Sequence, residues 1–331
     1  MNILIDINHP ADVHQFKYLY KTLIKHHSVT VVARDKDCTF SLLEGFDIPF
    51  VARNGYAKGI IQKAFGLIFI ELKLLFISLK YNIDLYIASS GNVYPMHIAY
   101  ILRKRSILFD DTEHAKLQKK LSFPFATKIV IPDCYKTKFS KSQEAKIIRY
   151  KGFKELAYLD PNYFKPKKTK LLNNSILLRL VNWDASHDLG HKTKIDYYKL
   201  IKELKRIGNI YISSEGVLPN DLNQYRLDIN PTEFHDYLAT MSLVISEGGS
   251  VAAESAILGI PTIYINELEL GYTDELKKEG FLFQTTDYKK ILSLAKTLNG
   301  KKNNLSLFLK TKEDVNKFML NLIENENCLY N

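Results

Sequence analysis

The run Ser246-Glu247-Gly248-Gly249-Ser250 carries the clearest chemistry in this sequence. The apolar stretch Leu243-Val244-Ile245 precedes it and reads as a strand. A helix of small residues follows, with Ala252, Ala253 and Ala256. Gly259-Ile260-Pro261 then leads into a second strand, Thr262-Ile263-Tyr264-Ile265. A strand, glycine turn and helix in this order leave the first helical N–H groups without partners and aim the positive helix end at one spot, which suits a phosphate or diphosphate. Glu254, about one turn into the helix, adds a carboxylate able to accept hydrogen bonds from ribose hydroxyls beside that anion. The same residues also suit a plain tight connection with close helix–sheet packing.

Four more loops carry candidate chemistry, each just after an expected strand. In Asp6-Ile7-Asn8-His9-Pro10-Ala11-Asp12-Val13-His14, His9 is a candidate general base or phosphate ligand, with Asp12 or His14 to support it. Ser89-Ser90-Gly91-Asn92 suits either a close backbone approach to a ligand or a simple turn. Asp110-Asp111-Thr112-Glu113-His114 packs three carboxylates and an imidazole together. Mutual repulsion raises at least one pKa there, as acid–base work requires, and Asp111, Glu113 and His114 are the candidates. The alternative is a helix cap made by Asp111 or Thr112. In the fourth loop, Arg179 can balance diphosphate charge and Trp183 can stack on a base or sugar, with His187 nearby. Ser213-Ser214-Glu215-Gly216 follows a further strand, and Ser214 and Glu215 are expected to line a base pocket. None of these groups has metal-ligand spacing.

These loops need elements to hold them, and the apolar periodicity supplies two alternating series. The first has strands at Ile3–Ile7, Val29–Ala33, Pro49–Val51, Leu85–Ala88, Ser106–Phe109 and Lys128–Ile131, with helices at Val13–Lys25, Phe40–Glu44 and Gly59–Tyr81 among those between them. Residues 159–175 break the alternation with Pro161, Pro166 and a polar run. The second series has strands at Ser175–Arg179, Asn209–Ser213 and Leu243–Ser246, with helices at Ile195–Ile207 and Pro231–Leu238. Leu305–Asn325 reads as one closing helix. The expected architecture is α/β, with two doubly wound Rossmann-type domains facing a cleft: residues 1–160, a linker at 161–174, a second domain at 175–310 and a closing helix at 311–331.

The 331 residues, 46% of them hydrophobic, are enough for two such domains. Cys38, Cys134 and Cys328 form no disulfide framework, and no signal peptide is seen, so a cytoplasmic setting is expected. The formal charge is +10 and the isoelectric point near 9.2. The lysines are spread out and no nucleic-acid motif is present, which leaves anionic small substrates or a membrane surface as partners. The segment Ile60–Lys80 is too charged to span a bilayer, yet its apolar residues cover more than one face. A helix packed on the sheet and an in-plane membrane contact both fit.

Gly248-Gly249-Ser250 with Glu254 and then Gly259-Ile260-Pro261 resembles the nucleotide-sugar signature of GT-B-fold proteins. Among these are the N-acetylglucosaminyltransferase that makes lipid II and the non-hydrolysing UDP-N-acetylglucosamine 2-epimerases. Asp111-Thr112-Glu113-His114-Ala115, Gly152 through Phe164 and Trp183 through His187 extend the resemblance to one prokaryotic domain-of-unknown-function family of that superfamily. The resemblance implies that the second domain holds the nucleotide, with the glycine turn on the diphosphate and Glu254 on the ribose. It also implies that the first domain presents His9 and the 111–114 loop to the acceptor or reacting sugar. Where the epimerases have His-Val-Glu-Ala-Gly-Leu-Arg, this chain has Asp-Thr-Glu-His-Ala without the Gly-Leu-Arg continuation.

The first expectation is therefore a metal-independent glycosyltransferase of cell-surface glycan synthesis. It would use a nucleotide sugar, UDP-sugar favoured, with no separate cofactor, a glycan or lipid-linked acceptor, and no nucleic acid. Its setting would be cytoplasmic or peripheral at the inner membrane face. A UDP-sugar 2-epimerase is the second reading, and a non-catalytic nucleotide-sugar binder the third.

Overall fold

The computed structural model describes residues 1–53, 60–170, 173–181 and 195–328, with the side chains of 60–67 and 326–328 outside the described set. The chain divides into two compact units: Met1–Tyr158 together with Lys312–Asn331, and Leu159–Thr311.

The first unit is built on a seven-stranded, wholly parallel sheet. Its strands are β1 (Asn2–Ile7), β2 (Ser28–Arg34), β3 (Val51–Arg53), β4 (Leu85–Ser89), β5 (Arg105–Phe109), β6 (Lys128–Pro132) and β7 (Ile147–Tyr150). Their order is β3-β2-β1-β4-β5-β6-β7. The strands read as near-continuous apolar runs because helices cover both faces. Register places Leu4 beside Tyr86, Ala88 beside Leu108, and Leu108 beside Ile129, so these side chains share one face. On that face lie Ile70, Leu74 and Ile77 of helix Ile60–Lys80, Met96 and Ile98 of helix Tyr94–Ile101, and Phe123 just after helix Lys116–Ser122. Val13, Phe16 and Tyr20 of helix Pro10–Leu23 pack near Ile5, Ile7 and Val31 on the other.

The second unit has a five-stranded parallel sheet. Its strands are β8 (Ser175–Leu180), β9 (Asn209–Ser214), β10 (Leu243–Ser246), β11 (Thr262–Tyr264) and β12 (Leu282–Gln284), ordered β12-β11-β10-β8-β9. Ile176, Leu178 and Leu180 pack with helices Tyr197–Leu204 and Tyr288–Leu298, while Leu177 and Val244 pack against Leu238 and Ile260. Residues ahead of β8 are counted with this unit: Lys167 N donates to Asp236 Oδ1 at 2.8 Å, and the Thr169 and Thr240 hydroxyls lie 3.0 Å apart.

Two expected helices differ in detail. Pro231–Leu238 opens as a 3-10 turn, Pro231–Glu233, before helix Phe234–Thr240, because Asn230 Oδ1 accepts the Thr232 amide and tightens the start. The expected closing helix Leu305–Asn325 is two pieces, Ser306–Leu309 and Val315–Cys328. Asp314 ends the gap between them by accepting the Lys317 amide at 3.0 Å, a capping bond that starts a helix afresh. The break coincides with the passage from the second unit back to the first.

Candidate functional site

In open parallel sheets a crevice forms at the carboxyl ends of the two strands from which the chain departs in opposite directions. In the second unit those strands are β8 and β10. The glycine turn lies there. Ser246 Oγ donates to Gly248 O at 2.8 Å and accepts Gly248 N at 3.2 Å, folding the chain sharply after β10. Helix Gly249–Ile257 then starts on Gly248 with no side-chain cap, and Ala252 N is the amide that reaches back to Gly248 O. The amides of Gly249, Ser250 and Val251 precede that bond and sit at the positive end of the helix. A Cβ on Gly249 would lie 2.7 Å from Tyr272 Oη and 3.0 Å from Leu270 Cδ1, so any larger residue there must push those side-chain ends aside.

Arg179, near the end of β8, donates from Nη1 to Ser213 Oγ at 2.9 Å and from Nη2 to Glu215 Oε1 at 2.7 Å. Ser214 Oγ accepts the Gly216 amide at 3.2 Å. Arg179, Ser214 and Glu215 are thus gathered at the ends of β8 and β9. Glu247 ties the switch point together. Its Oε2 accepts Val181 N at 2.9 Å, its Oε1 accepts the Tyr197 hydroxyl, and its carbonyl accepts Asn266 Nδ2 at 3.0 Å. Glu254 is buried at 5% exposure, with Oε1 at 3.2 Å from Nε2 of the buried His235. Trp183 and His187 lie outside the described residues.

In the first unit the corresponding switch point lies between β1 and β4. His9 caps helix Pro10–Leu23: its Nδ1 accepts Ala11 N at 3.2 Å, and Asp12 Oδ2 accepts the amides of Asn8 at 2.9 Å and His9 at 3.1 Å. Pro10 suits the first helical turn because it has no N–H to satisfy. Burial pushes the Asp12 carboxyl up to about 6, against the pull of those amides and of Lys154. Asp6 is buried beside Arg53, whose Nε lies 3.2 Å away, and Arg53 Nη2 also donates to Asn8 Oδ1 at 2.9 Å.

The acidic loop after β5 is a network rather than a helix cap. Helix Lys116–Ser122 starts later, with Ala115 at its head and no side-chain cap. Ser90 Oγ lies 2.6 Å from Asp110 Oδ1 and 2.9 Å from Asp111 Oδ1, and accepts the Asp111 amide at 3.0 Å. The Tyr135 hydroxyl donates to Asp110 Oδ2, and Lys154 Nζ lies 2.5 Å from Asp111 Oδ2. Burial lifts both carboxyls. For Asp110 that lift prevails, while for Asp111 the Lys154 ammonium overrides it and holds the acid below its ordinary value. Asp111 in turn keeps Lys154 charged despite burial. Glu113 Oε1 accepts Lys136 N at 2.8 Å, and His114 is exposed. Of the four expected catalytic residues, the structure ties Asp111 into a buried network, uses His9 and Glu113 to hold backbone amides, and leaves His114 at the surface. Gln15, Ser89, Phe109, Asp110, Asp111, Tyr150 and Lys154 close around one gap too small to admit a water molecule. Lys154 and Tyr135 were not singled out from sequence; Lys154 lies in the Gly152–Phe164 stretch, but nothing distinguishes it there from other lysines.

Two parallel-sheet α/β units with these strand orders make the chain a protein of GT-B fold. It belongs to the family described as "Protein of unknown function (DUF354)", whose model matches residues 1–327. An uncharacterised protein of Methanocaldococcus jannaschii is 26% identical over 325 residues, which is 91% of this chain and 93% of that one. A Neisseria meningitidis UDP-GlcNAc 2-epimerase structure bound to UDP-GlcNAc aligns with a TM-score of 0.70 at 9% identity, covering 98% of this chain and 100% of its own. A spinosyn rhamnosyltransferase complexed with spinosyn aglycone aligns with a TM-score of 0.58 at 11% identity, covering 90% of each chain. At these identities the structural likeness is one of fold.

Proposed function

We propose that the protein is a glycosyltransferase that holds a nucleoside diphosphate sugar, UDP-sugar favoured, in its second unit. It would transfer the sugar to a hydroxyl of a glycan or lipid-linked acceptor on the cytoplasmic side of a membrane. The observation that carries this reading is the uncapped start of helix Gly249–Ile257 at the β8/β10 switch point. As the anomeric C–O bond breaks, negative charge grows on the departing diphosphate. The Gly249 and Ser250 amides are fixed in advance to receive it, and Arg179 adds a guanidinium at the neighbouring strand end. Glu254 is assigned to the ribose, and Ser214 and Glu215 to the base. In the first unit, His9 and Asp12 suit a proton acceptor working near neutral pH, Asp12 because burial sets its carboxyl near 6. Asp111, held ionised, is the weaker base and suits fixing Lys154.

A second reading, UDP-sugar 2-epimerase, is favoured by one observation: carboxyls of opposed affinity side by side, Asp110 raised and Asp111 lowered. Proton removal at C2, loss of the nucleotide and its return require several acid–base groups.

Both readings are tested on purified protein. A thermal-shift panel over UDP-, GDP-, CMP- and dTDP-sugars should give stabilisation by one class. Gly249→Ala should abolish it; an unchanged shift in that variant would refute the nucleotide assignment. Incubation with UDP-N-acetylglucosamine alone then separates the chemistries. A new UDP-sugar without acceptor marks an epimerase, acceptor-dependent release of UDP marks a transferase, and binding without turnover under either condition removes both.

A further inference from the structure

Helices Ile60–Lys80, Tyr94–Ile101 and Lys116–Ser122 adjoin one another on one side of the first unit, over a shared core. His97 locks them together: Nδ1 lies 2.7 Å from Glu71 Oε1 and Nε2 lies 2.8 Å from the Leu121 carbonyl. Ile70, Leu74 and Ile77 face the sheet and are buried. The outer face of the same helix is apolar too, with Phe69 71% and Phe76 67% exposed and Leu72 between them. Tyr100 of the second helix is 63% exposed and Leu117 of the third 64%. Single exposed apolar residues are ordinary, but a layer of them across three adjoining helices is not.

The charge on these helices has one sign. Within 68–80, 94–104 and 116–122 the sole acid is Glu71, which is held by His97. Lys80, Arg103, Lys116 and Lys120 are exposed. A two-fold contact between copies would set this patch, with its exposed cations, against the same patch, like charge facing like, which disfavours it. Apolar and aromatic side chains edged by Lys and Arg match the interface of an anionic bilayer. Among the described residues no helix is long and apolar enough to cross a membrane, so the contact lies in the plane.

We propose that the outer face of this three-helix layer docks on an anionic lipid surface, with Phe69 and Phe76 entering the headgroup region and the basic residues contacting lipid phosphates. The proposal goes beyond the sugar-nucleotide reading and stands without it.

The test is flotation of the full chain with phosphatidylcholine vesicles, with and without phosphatidylglycerol, and no nucleotide present. Binding is expected only with phosphatidylglycerol, and should weaken as salt rises. Phe69→Asp/Phe76→Asp should lower vesicle affinity on the order of 100-fold, with a cooperative thermal unfolding transition and a far-UV circular dichroism spectrum like those of the wild type as evidence of folding. Lys116→Glu/Lys120→Glu provides a second, independent surface variant and should lower it by about 10-fold or more. Absence of flotation with either vesicle, or equal flotation of the wild type and a folded phenylalanine variant, would overturn the proposal. So would a wild type that is dimeric in solution through this face, with the phenylalanine variant monomeric.

Discussion

Lys154 and Asp111 show what a buried pair demands of its neighbours. Each is held in its charged form chiefly by the other, 2.5 Å away, so removing one leaves its partner poorly compensated in a medium of low polarity. Lys154→Met should therefore cost about 3–5 kcal/mol of folding stability in denaturant titration, far more than substitution of an exposed lysine such as Lys120. Asp12 gives a pH signature of its own. Its carboxyl titrates near 6 in the folded protein, against an ordinary value near 3.8, so between those values the folded state holds more protons than the unfolded one. Stability must fall as pH rises through that window, by up to about 3 kcal/mol from this group. Asp6 and Asp110, also raised by burial, act in the same direction, and Asp111 in the opposite one. Asp12→Asn should flatten the slope between pH 4 and 6; an unaltered profile of unfolding midpoint against pH would remove Asp12 as its source. Neither effect was legible in the sequence. The crowding of Asp110, Asp111 and Glu113 was visible as a pattern, but the lysine that settles the charge of Asp111 lies 43 residues on and is brought in by the fold.

At the scale of elements, the β10–turn–helix–β11 unit was readable because its signals are local. An apolar run, two adjacent glycines, small residues and Gly259-Ile260-Pro261 each specify the backbone they occupy. Gly259 sits at φ +78°, and a Cβ there would meet the Asn303 carbonyl at 2.7 Å. Gly259→Ala should therefore destabilise the second unit by about 1–3 kcal/mol, read as a lower denaturant midpoint. The strands that sequence missed are β7 and β12, of four and three residues. Runs this short carry too few alternations for a period to emerge, and, unlike the equally short β10 and β11, these two are not framed by the Gly248-Gly249 turn and Gly259-Ile260-Pro261. Helix Ile60–Lys80 was readable as a helix, but its sequence left open which apolar stripe is turned inward. Ile70, Leu74 and Ile77 supply that answer.

For the molecule as a whole, the alternating pattern carried the α/β class and two sheets, whereas the membership of the residues after Thr311 depended on non-local packing. Helix Val315–Cys328 belongs to the first unit: Met319 and Ile323 are fully buried, and Asn316 Nδ2 donates to the Ala157 carbonyl at 2.6 Å. Deletion from residue 312 onward should cost the first unit several kcal/mol, at about 1.5–3 kcal/mol for each buried apolar side chain. That is a large part of the roughly 5–15 kcal/mol that holds a domain together. Hydrogen exchange should then show protection lost across β1–β7 and kept across β8–β12; equal protection in both would contradict this assignment.

That return path has a consequence during synthesis. A ribosome delivers residues 1–158 first, yet the piece that completes their core follows only after 159–311 has been made. The part translated earliest must therefore wait, with its gap uncovered, while the later part can close on its own. Chaperone capture and aggregation of stalled translation products should accordingly map to the amino-terminal half.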